Sequence, residues 1–520
     1  MKYILTIDAG TGSGRALLFD VGGRQHAQSG CEWIAPTLPN YPGSAVFDTE
    51  HAWRSICGCI REVLRTSRVS PKNIAAVTAA SMREGFVLYN KRKRAIWACP
   101  NVDSRAGVEA ADLVREGLAE LIYQTGGDGL AITAPARLHW IRRHEAGIWD
   151  ETRFLSMISD WVLFRFCGEI VTDPSCGSSS GLFDLRQRTW SRELCEKLEL
   201  PDIFPRVVSA GTVLSKIAPR VARETGLSPE TRVIVGGADT QLALLGCAGE
   251  GGSEFAVVGG TFWQTTVTNS APFIDPQQRV RTLCHMLPDQ WMTEGIGFLN
   301  GLAMRWVRDT ICPDLAAKAA RKRKDAYALM EALASRVPAG SNGISALISV
   351  VMNAKRWIQP PVAFLGIQPI RSDSCGEDAR AAMIRATQES AVLTARAHWD
   401  ILRDLSGANP RSVTFCGGAA KGKLWPKILA DVMNLPVRIP KVKEATSLGA
   451  TFCALVGLEE FKCLSEAAKE LVQWERTIEP DGAQFEFYRD LCERHLQMQQ
   501  MLSILVDGNV IPAMWRAPGA

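Results

Sequence analysis

The sequence of 520 residues predicts an α/β protein of two similar domains that face each other across a cleft. Three observations support this prediction. The chain is too long for one ordinary hydrophobic core, and each half begins with a strand–glycine loop–strand unit. Strand-like and helix-like segments also alternate along the chain, with helices predicted, for example, at residues 50–66, 377–405 and 467–474. We expect the domains to occupy residues 1–248 and 249–520, because the small-residue stretch Gly246–Gly252 separates the two repeats.

The first repeat contains the run Asp8–Arg15, with the sequence DAGTGSGR, between the strand-like segments Tyr3–Ile7 and Ala16–Phe19. Glycine lets the backbone approach an anion closely and adopts the positive φ that we expect of a tight anion-binding turn. The spacing fits neither a Walker P-loop nor a dinucleotide fingerprint, and a strand follows the loop instead of a helix. This arrangement is typical of the phosphate sites of actin, sugar kinases and heat-shock ATPases; an ordinary glycine-rich hairpin turn is the alternative.

Similar loops occur later in the chain. Strand-like residues precede Gly236–Gln241, Gly259–Gln264 and Gly417–Lys421, and the loop at Gly259 is again followed by a strand-like segment. Two such hairpins facing each other would surround a polyphosphate with backbone N–H groups, and the hydroxyls of Thr11 and Thr261 could donate to its phosphates. The repetition therefore predicts a nucleotide held between the two domains.

Asp239 is the strongest candidate for a catalytic residue, since it follows two glycines and an alanine at the end of an apolar strand. Phosphoryl transfer requires a group that accepts the hydroxyl proton of the acceptor, and a positioned carboxylate does this. The alternative is an aspartate that only caps the following helix. Asp8, at the end of the first strand, is placed to hold Mg²⁺ through water, while Arg15 either adds charge at the phosphates or forms a structural ion pair.

Arg83 and Glu84 leave an apolar strand together and could share hydrogen bonds with neighbouring hydroxyls of an acceptor, unless they form a surface ion pair. Trp97 could supply a ring face to the same acceptor or belong to the core.

Composition limits the classes of partner. The net charge of +4 is small for this length and gives no reason to expect nucleic acid or a membrane surface as a partner. The basic runs Lys91–Arg94 and Arg321–Lys324 are interpreted as a solvated hairpin turn and an exposed helix face. Fifteen cysteines without C-x-x-C spacing, no signal peptide in the N-terminal apolar run and no membrane-length apolar run predict a cytoplasmic protein.

Taken together, these motifs resemble those of the FGGY carbohydrate kinases, and the resemblance runs almost from end to end. Besides the phosphate loops, it is carried by Ser81–Gly85, Asn101–Ala106, Met157–Trp161, Gly259–Gln264, Lys421–Trp425, Val442–Thr446 and Trp515–Gly519. The MREG segment at residues 82–85, the GGTFWQ segment at residues 259–264 and the C-terminal tryptophan favour, within the family, the branch that phosphorylates the quorum-sensing signal autoinducer-2.

The resemblance implies two ribonuclease H-like domains, ATP and Mg²⁺ in the cleft, and transfer of the γ-phosphate to the 5-hydroxyl of open-chain dihydroxypentanedione. It implies that Asp239 is the general base, that Asp8 and Asp239 contact the metal, and that the acceptor is held by Arg83, Glu84, Trp97, Asp239 and Gln241. The implied nucleotide contacts are Gly10, Thr11, Ser13, Arg15, Gly260, Thr261, Gly301, Arg305, Gly417, Gly418 and Ala419.

Three departures from the family pattern affect the details. Ala238 and Ala419 stand where relatives often have glycine, so we expect these positions to avoid positive φ. Arg137 replaces a lysine of the family signature. A pentulose or polyol kinase, or a non-catalytic sugar- or ATP-binding regulator, therefore stays open as an alternative, and the sequence identifies no regulatory partner.

Overall fold

The structure is a computed structural model that describes residues 2–247, 255–370 and 375–518. The first half contains the strands β1 (Tyr3–Ala9), β2 (Ser13–Asp20), β3 (Gln25–Glu32), β4 (Ile74–Ser81), β5 (Phe86–Tyr89), β6 (Ala95–Cys99), β7 (Phe154–Met157), β8 (Val171–Thr172), β9 (Phe183–Asp184), β10 (Thr189–Trp190), β11 (Arg206–Val207), β12 (Val213–Lys216), β13 (Arg232–Ile234) and β14 (Gly237–Ala238). Its helices are α1 (Thr49–Ser67), α2 (Gly107–Arg115), α3 (Leu118–Gly126), α4 (Ala134–His144), α5 (Ala146–Glu151), α6 (Ile158–Cys167), α7 (Pro174–Ser178), α8 (Arg192–Lys197), α9 (Pro219–Thr225) and α10 (Asp239–Cys247).

The second half has the same kinds of element. Its strands are β15 (Phe255–Gly259), β16 (Trp263–Asn269), β17 (Arg281–Cys284), β18 (Trp291–Gly297), β19 (Ser345–Leu347), β20 (Ile358–Gln359), β21 (Ala363–Leu365), β22 (Val413–Cys416), β23 (Val437–Pro440), β24 (Trp474–Ile478) and β25 (Trp515–Arg516). Its helices are α11 (Asn300–Trp306), α12 (Pro313–Lys322), α13 (Ala326–Ala334), α14 (Gly376–Ser406), α15 (Leu424–Met433), α16 (Ala445–Gly457), α17 (Leu464–Leu471) and α18 (Gly482–Asp507).

Each half is built on one seven-stranded sheet. The first has the order β12-β13-β4-β1-β2-β3, with β14 also paired to β4, and the second has the order β17-β18-β16-β15-β22-β23-β24. In the first sheet β1 is antiparallel to β2 and parallel to β4; in the second, β15 is antiparallel to β16 and parallel to β22. The two sheets thus repeat one hairpin-plus-parallel-strand pattern, which confirms the predicted duplicated α/β class.

The two halves meet along helices α10 and α16, whose backbones cross closely. A Cβ atom on Gly246 would lie 2.1 Å from the carbonyl oxygen of Ala445, and one on Gly449 would lie 2.0 Å from that of Leu242. Only glycine permits this approach, since real Cβ contacts are never so short. The contact fixes α10, which begins at Asp239, against the second half.

Most predicted local elements agree with the structure. The helices predicted at 50–66 and 377–405 match α1 and α14, and the Lys91–Arg94 run forms the exposed turn between β5 and β6. The helix predicted at 467–474 was misplaced: α17 ends at Leu471 and β24 begins at Trp474, because Val472 caps the helix in an extended conformation.

The second basic run, Arg321–Lys324, does not lie on one continuous helix face. Arg323 adopts a φ of 51° and separates α12 from α13, although the run is exposed as predicted. The predicted domain boundary near residue 248 lies outside the described residues and stays a prediction. None of the described helices combines the length and apolar content that a membrane crossing requires.

Candidate active site

The first glycine hairpin joins β1 to β2 through residues 10–12. The N–H of Gly10 donates to the carbonyl of Ser13 at 2.9 Å, and the hydroxyl of Thr11 donates to Oδ1 of Asn101 at 2.9 Å. The indole N–H of Trp33 donates to the carbonyls of Gly10 and Thr11, both at 3.2 Å. The turn is therefore held on one side by a tryptophan, while Thr11 is half-buried and Gly12 is exposed.

This hairpin requires glycine at position 14, for a reason other than the predicted one. None of Gly10, Gly12 and Gly14 has a positive φ, so the expected left-handed turn is wrong. Instead, a Cβ atom on Gly14 would lie 2.3 Å from the ring of Trp33. Packing against Trp33, and not backbone handedness, requires glycine at position 14. Ala238 and Ala419 do avoid positive φ, as predicted.

Asp8 and Arg15 face each other across the first hairpin and form an ion pair. Arg15 also donates from Nη1 to Oε2 of Glu444 in the second half at 2.6 Å. Burial raises the pKa of Asp8, and the neighbouring Arg15 opposes that rise. Of the two alternatives for Arg15, the structure shows structural ion pairs, and the pair of Arg15 with Glu444 bridges the two halves.

The second glycine hairpin joins β15 to β16 and borders a cavity of about 430 Å³. The N–H of Gly301 donates to the carbonyl of Thr261 at 3.1 Å, and a Cβ atom on Gly301 would lie 2.2 Å from the carbonyl oxygen of Gly260. Six of the predicted nucleotide-binding residues line this cavity: Gly260, Thr261, Gly301, Arg305, Gly418 and Ala419. The structure thus brings together the second hairpin, helix α11 and the segment that follows β22, which are separate in the sequence.

Gly417 supports this cavity from outside. It adopts a φ of 88°, and a Cβ atom there would lie 2.6 Å from the carbonyl oxygen of Gly259. Here the backbone needs glycine for both its left-handed conformation and its close approach. The opposite wall comes from α13, where Glu331 accepts the N–H groups of Lys423 and Leu424, each at 2.7 Å, and so holds the start of α15.

Asp239 stands at the start of α10, beside Arg83. Its Oδ1 accepts the N–H of Thr240 at 2.6 Å and lies 3.8 Å from Nε of Arg83; no group within the described ranges donates to Oδ2. The side chain is 38% exposed. Desolvation by burial raises the pKa of Asp239 to about 6, Arg83 opposes the rise, and the charges of Asp8 and Glu84 add to it. A carboxylate with one free oxygen and such a pKa can accept a proton near neutral pH.

Arg83 and Glu84 are buried in a carboxylate–arginine cluster and do not form a surface ion pair. Arg83 donates to Oε1 of Glu294 at 2.7 Å, and Arg281 donates to the same oxygen at 2.6 Å. Arg281 also donates to Glu84 at 2.8 Å and to Asp128 at 2.9 Å. Because Arg281 and Glu294 belong to the second half, this cluster of Arg83, Glu84, Asp128, Arg281 and Glu294 joins the two halves directly behind Asp239.

Burial of the carboxylate–arginine cluster shifts the pKa values of its carboxyl groups. Burial raises the pKa of Asp128 to about 6, although Arg281 opposes the rise. Burial also acts to raise the pKa of Glu294, but Arg83 and Arg281 together hold that pKa below its usual value. Glu84 has a φ of 61°, which is uncommon for a residue other than glycine. Such local strain is typical of functional sites.

The prediction from sequence did not include a serine turn at α7 that positions these groups. Ser175 Oγ accepts the N–H of Ala238 at 2.9 Å, immediately before Asp239. Ser179 Oγ accepts the N–H of Glu84 at 3.3 Å, and Ser178 Oγ accepts that of Cys284 in β17 at 3.0 Å. The signal for it was the SSS run at residues 178–180 after Asp173, which caps α7.

Two predicted acceptor contacts are placed differently. Trp97 packs on Phe86, with 5.3 Å between ring centroids, and lines a second cavity of about 290 Å³ with Phe47 and Arg105. No hydrogen bond or ring contact among the described residues joins Trp97 to Arg83, Glu84 or Asp239. Gln241 is fully buried, and its Nε2 lies 3.4 Å from the carbonyls of both Ser175 and Cys284.

The carboxylates of Asp8 and Asp239 suit Mg²⁺, which prefers oxygen ligands and retains much of its water. The negative charge of Asp8 raises the pKa of Asp239, because the two carboxylates repel each other. A cation held by both would relieve this repulsion. Within the described residues, the only three metal-competent side chains with ligand atoms within 4.8 Å of one another are Asp160, Asp173 and Cys176. Asp8 and Asp239 therefore fit a hydrated ion better than a direct protein cage.

The paired sheets, the glycine hairpins and the cleft define a two-domain kinase of the sugar kinase and actin fold class. The chain belongs to the FGGY family of carbohydrate kinases: the model of the family's N-terminal domain matches residues 3–246, and that of its C-terminal domain matches residues 255–458. It is accordingly a phosphotransferase that uses ATP and an alcohol acceptor.

Relatives match nearly the whole length of the chain. An autoinducer-2 kinase of Escherichia coli K12 is 40% identical over 99% of this chain and 98% of its own length, and one of Salmonella typhimurium is also 40% identical over 99% and 98%. Among solved structures, xylulose kinase from Lactobacillus acidophilus superposes with a TM-score of 0.85 at 20% identity, covering 97% of this chain and 99% of that one. Glycerol kinase from Plasmodium falciparum with ADP gives 0.81 at 15% identity, covering 96% and 98%. These structures show the fold.

Proposed function

We propose that this protein transfers the γ-phosphate of ATP to the 5-hydroxyl of the open-chain form of autoinducer-2, 4,5-dihydroxypentane-2,3-dione. The observation that carries the chemical part is the free Oδ2 of Asp239, which lies beside Arg83 at the start of α10. The choice of acceptor is supported by the autoinducer-2 kinases that match this chain over nearly its full length.

Asp239 acts as the general base in this proposal. Its Oδ2 takes the proton of the acceptor hydroxyl as the oxygen attacks the γ-phosphorus, and the bond to the bridging oxygen of ADP breaks. Arg83 and Glu84 hold the acceptor's oxygens, and their partners in the carboxylate–arginine cluster fix both side chains before the acceptor arrives. Preorganisation of this kind removes reorganisation from the reaction step.

The nucleotide lies across both hairpins. The cavity beside Gly260, Thr261, Gly301 and Gly418 takes the adenosine and phosphates, while Thr11 of the first hairpin turns its hydroxyl proton from Asn101 to a phosphate oxygen. Mg²⁺ bound with ATP would neutralise charge on the phosphates, and Asp8 and Asp239 would hold its water ligands. We place this reaction in the cytoplasm, where reducing conditions suit the scattered cysteines.

A panel of acceptors tests the proposal. ADP release is measured by a coupled assay with autoinducer-2, D-xylulose, D-ribulose and glycerol at equal concentrations, with Asp239→Asn as the background for hydrolysis without acceptor. We expect the highest kcat/KM for autoinducer-2. A higher value for a pentulose or glycerol would overturn the choice of acceptor, and no turnover with any acceptor would favour a non-catalytic regulator.

A further inference from the structure

The C-terminal strand lies beyond the part of the chain that the family model covers, which ends at residue 458. This strand, β25 (Trp515–Arg516), pairs antiparallel with β20. The N–H of Met514 donates to the carbonyl of Gln359 at 2.9 Å, and that of Ala517 donates to the carbonyl of Trp357 at 2.9 Å. Residues 514–517 are therefore fixed to the second half by backbone hydrogen bonds on both sides of Trp515.

Trp515 completes an aromatic cluster with Phe262, Phe298 and Trp357. The ring of Trp515 lies 4.7 Å from that of Phe298 and 5.4 Å from that of Trp357. Phe298 in turn lies 5.2 Å from Phe262 at an interplanar angle of 69°. Edge-to-face and tilted pairs at these distances attract each other beyond simple burial, so the cluster holds its rings in defined positions.

This aromatic cluster contacts both segments that shape the second glycine hairpin. Phe262 follows Thr261 directly, and its carbonyl accepts the N–H of Gly260 at 3.1 Å, which closes the turn. Phe298 precedes Leu299, whose φ of 57° starts α11 and directs the N–H of Gly301 to the carbonyl of Thr261. Movement of the Phe298 ring would thus be transmitted to the turn from two directions.

We propose that Trp515 is a positioning residue for nucleotide binding: through Phe298 it fixes the Gly260–Thr261 turn against Gly301 in the geometry that ATP requires. This inference rests on the proposed nucleotide site at the second hairpin. Trp515 does not line the cavity itself, so its effect passes through the aromatic cluster. A small outward movement of the turn weakens its contacts with the nucleotide and leaves the acceptor site on the first half unchanged.

The test compares Trp515→Ala with Met514→Ala, which alters a neighbouring, 37% exposed side chain of the same tail outside the aromatic cluster. ADP affinity is measured by calorimetry, and KM for ATP and for autoinducer-2 by the coupled assay. For Trp515→Ala we expect ADP affinity to fall about three- to tenfold and KM for ATP to rise equally, with KM for autoinducer-2 within about twofold. Trp515→Phe restores ADP affinity, and Met514→Ala matches the wild type.

The other possible results contradict either the positioning role of Trp515, the nucleotide site or the choice of acceptor. Unchanged ADP affinity in a folded Trp515→Ala protein, or an equal loss in Met514→Ala, overturns the positioning role. If Trp515→Ala does not fold, Trp515→Leu keeps an apolar side chain at the same place, and its ADP affinity decides in the same way. Failure of the wild-type protein itself to bind ADP refutes the nucleotide site, and with it this inference, whereas wild-type ADP binding without turnover of autoinducer-2 refutes only the acceptor.

Discussion

The two glycine hairpins share a backbone design but differ in their side chains. In the first hairpin the last two pairs before the turn are Asp8 with Arg15 and Ala9 with Gly14; in the second they are Val258 with Gln264 and Gly259 with Trp263. The first thus carries charged groups at the position where the second carries uncharged ones.

This difference separates two tasks within one repeated fold. The first hairpin places Asp8 near Asp239, and its Arg15 forms an ion pair with Glu444. These charged groups suit metal binding and proton transfer. The second hairpin offers backbone groups around a cavity and depends on close packing with Gly301 and Gly417. Charge substitutions in the first half and volume substitutions in the second should therefore give different kinetic effects.

The largest expected effect is that of Asp239→Asn. Removing the proposed general base should lower kcat by about 10²–10⁴-fold, while ADP affinity stays within about twofold because the cavity at the second hairpin is untouched. A coupled assay and calorimetry measure the two quantities.

A stability measurement accompanies this variant. The pKa of Asp239 is raised in the folded protein, so its ionisation costs stability as the pH rises from about 4 through 6, and neutral asparagine avoids that cost. The melting temperature of Asp239→Asn at pH 8 should therefore not fall below that of the wild type. A folded variant that keeps its activity contradicts the role of Asp239 as the base, and a melting temperature below that of the wild type contradicts its raised pKa.

The second effect is that of Gly301→Ala. The added Cβ would lie 2.2 Å from the carbonyl of Gly260, so the turn must move, and overpacking of this kind costs about 1–3 kcal/mol. ADP affinity should fall by about tenfold or more, and saturating ATP should largely restore kcat. Gly58→Ala in α1, where a Cβ meets open space, is the matched control. Equal ADP affinity in both variants would show that the second hairpin does not shape the nucleotide site.

The features of the fold that depend on local sequence pattern could be predicted from the sequence. Both hairpins, the strand before Arg83 and the placement of Asp239 at the end of a strand follow from alternating apolar runs and small-residue loops. The partners of Arg83 and Glu84 could not be predicted in this way, because Arg281 and Glu294 reach them from the other half of the chain. Gly14 shows the same limit: its conformation is unremarkable, and the requirement for glycine comes from Trp33, nineteen positions away.

The smallest effect is the pH dependence of the wild-type rate. A base with a pKa of about 6 must lose its proton to act, so kcat/KM for the acceptor should fall as the pH falls through 6 and be about tenfold lower at pH 5 than its plateau. Thermal melts at each pH confirm that the protein stays folded, and a flat profile between pH 5 and 8 contradicts the raised pKa.

The pH midpoint of the kcat/KM profile also distinguishes two ways in which Asp239 could hold the metal. Direct ligation of Mg²⁺ by Asp239 would place a divalent charge on the carboxylate and pull the midpoint toward the usual value for aspartate, near 3.8. A metal held through water lowers the pKa less, and closure of the cleft over the 38% exposed side chain raises it by removing water. A midpoint near 6 at saturating MgATP would therefore assign the proton to Asp239 and leave the metal in its hydration shell.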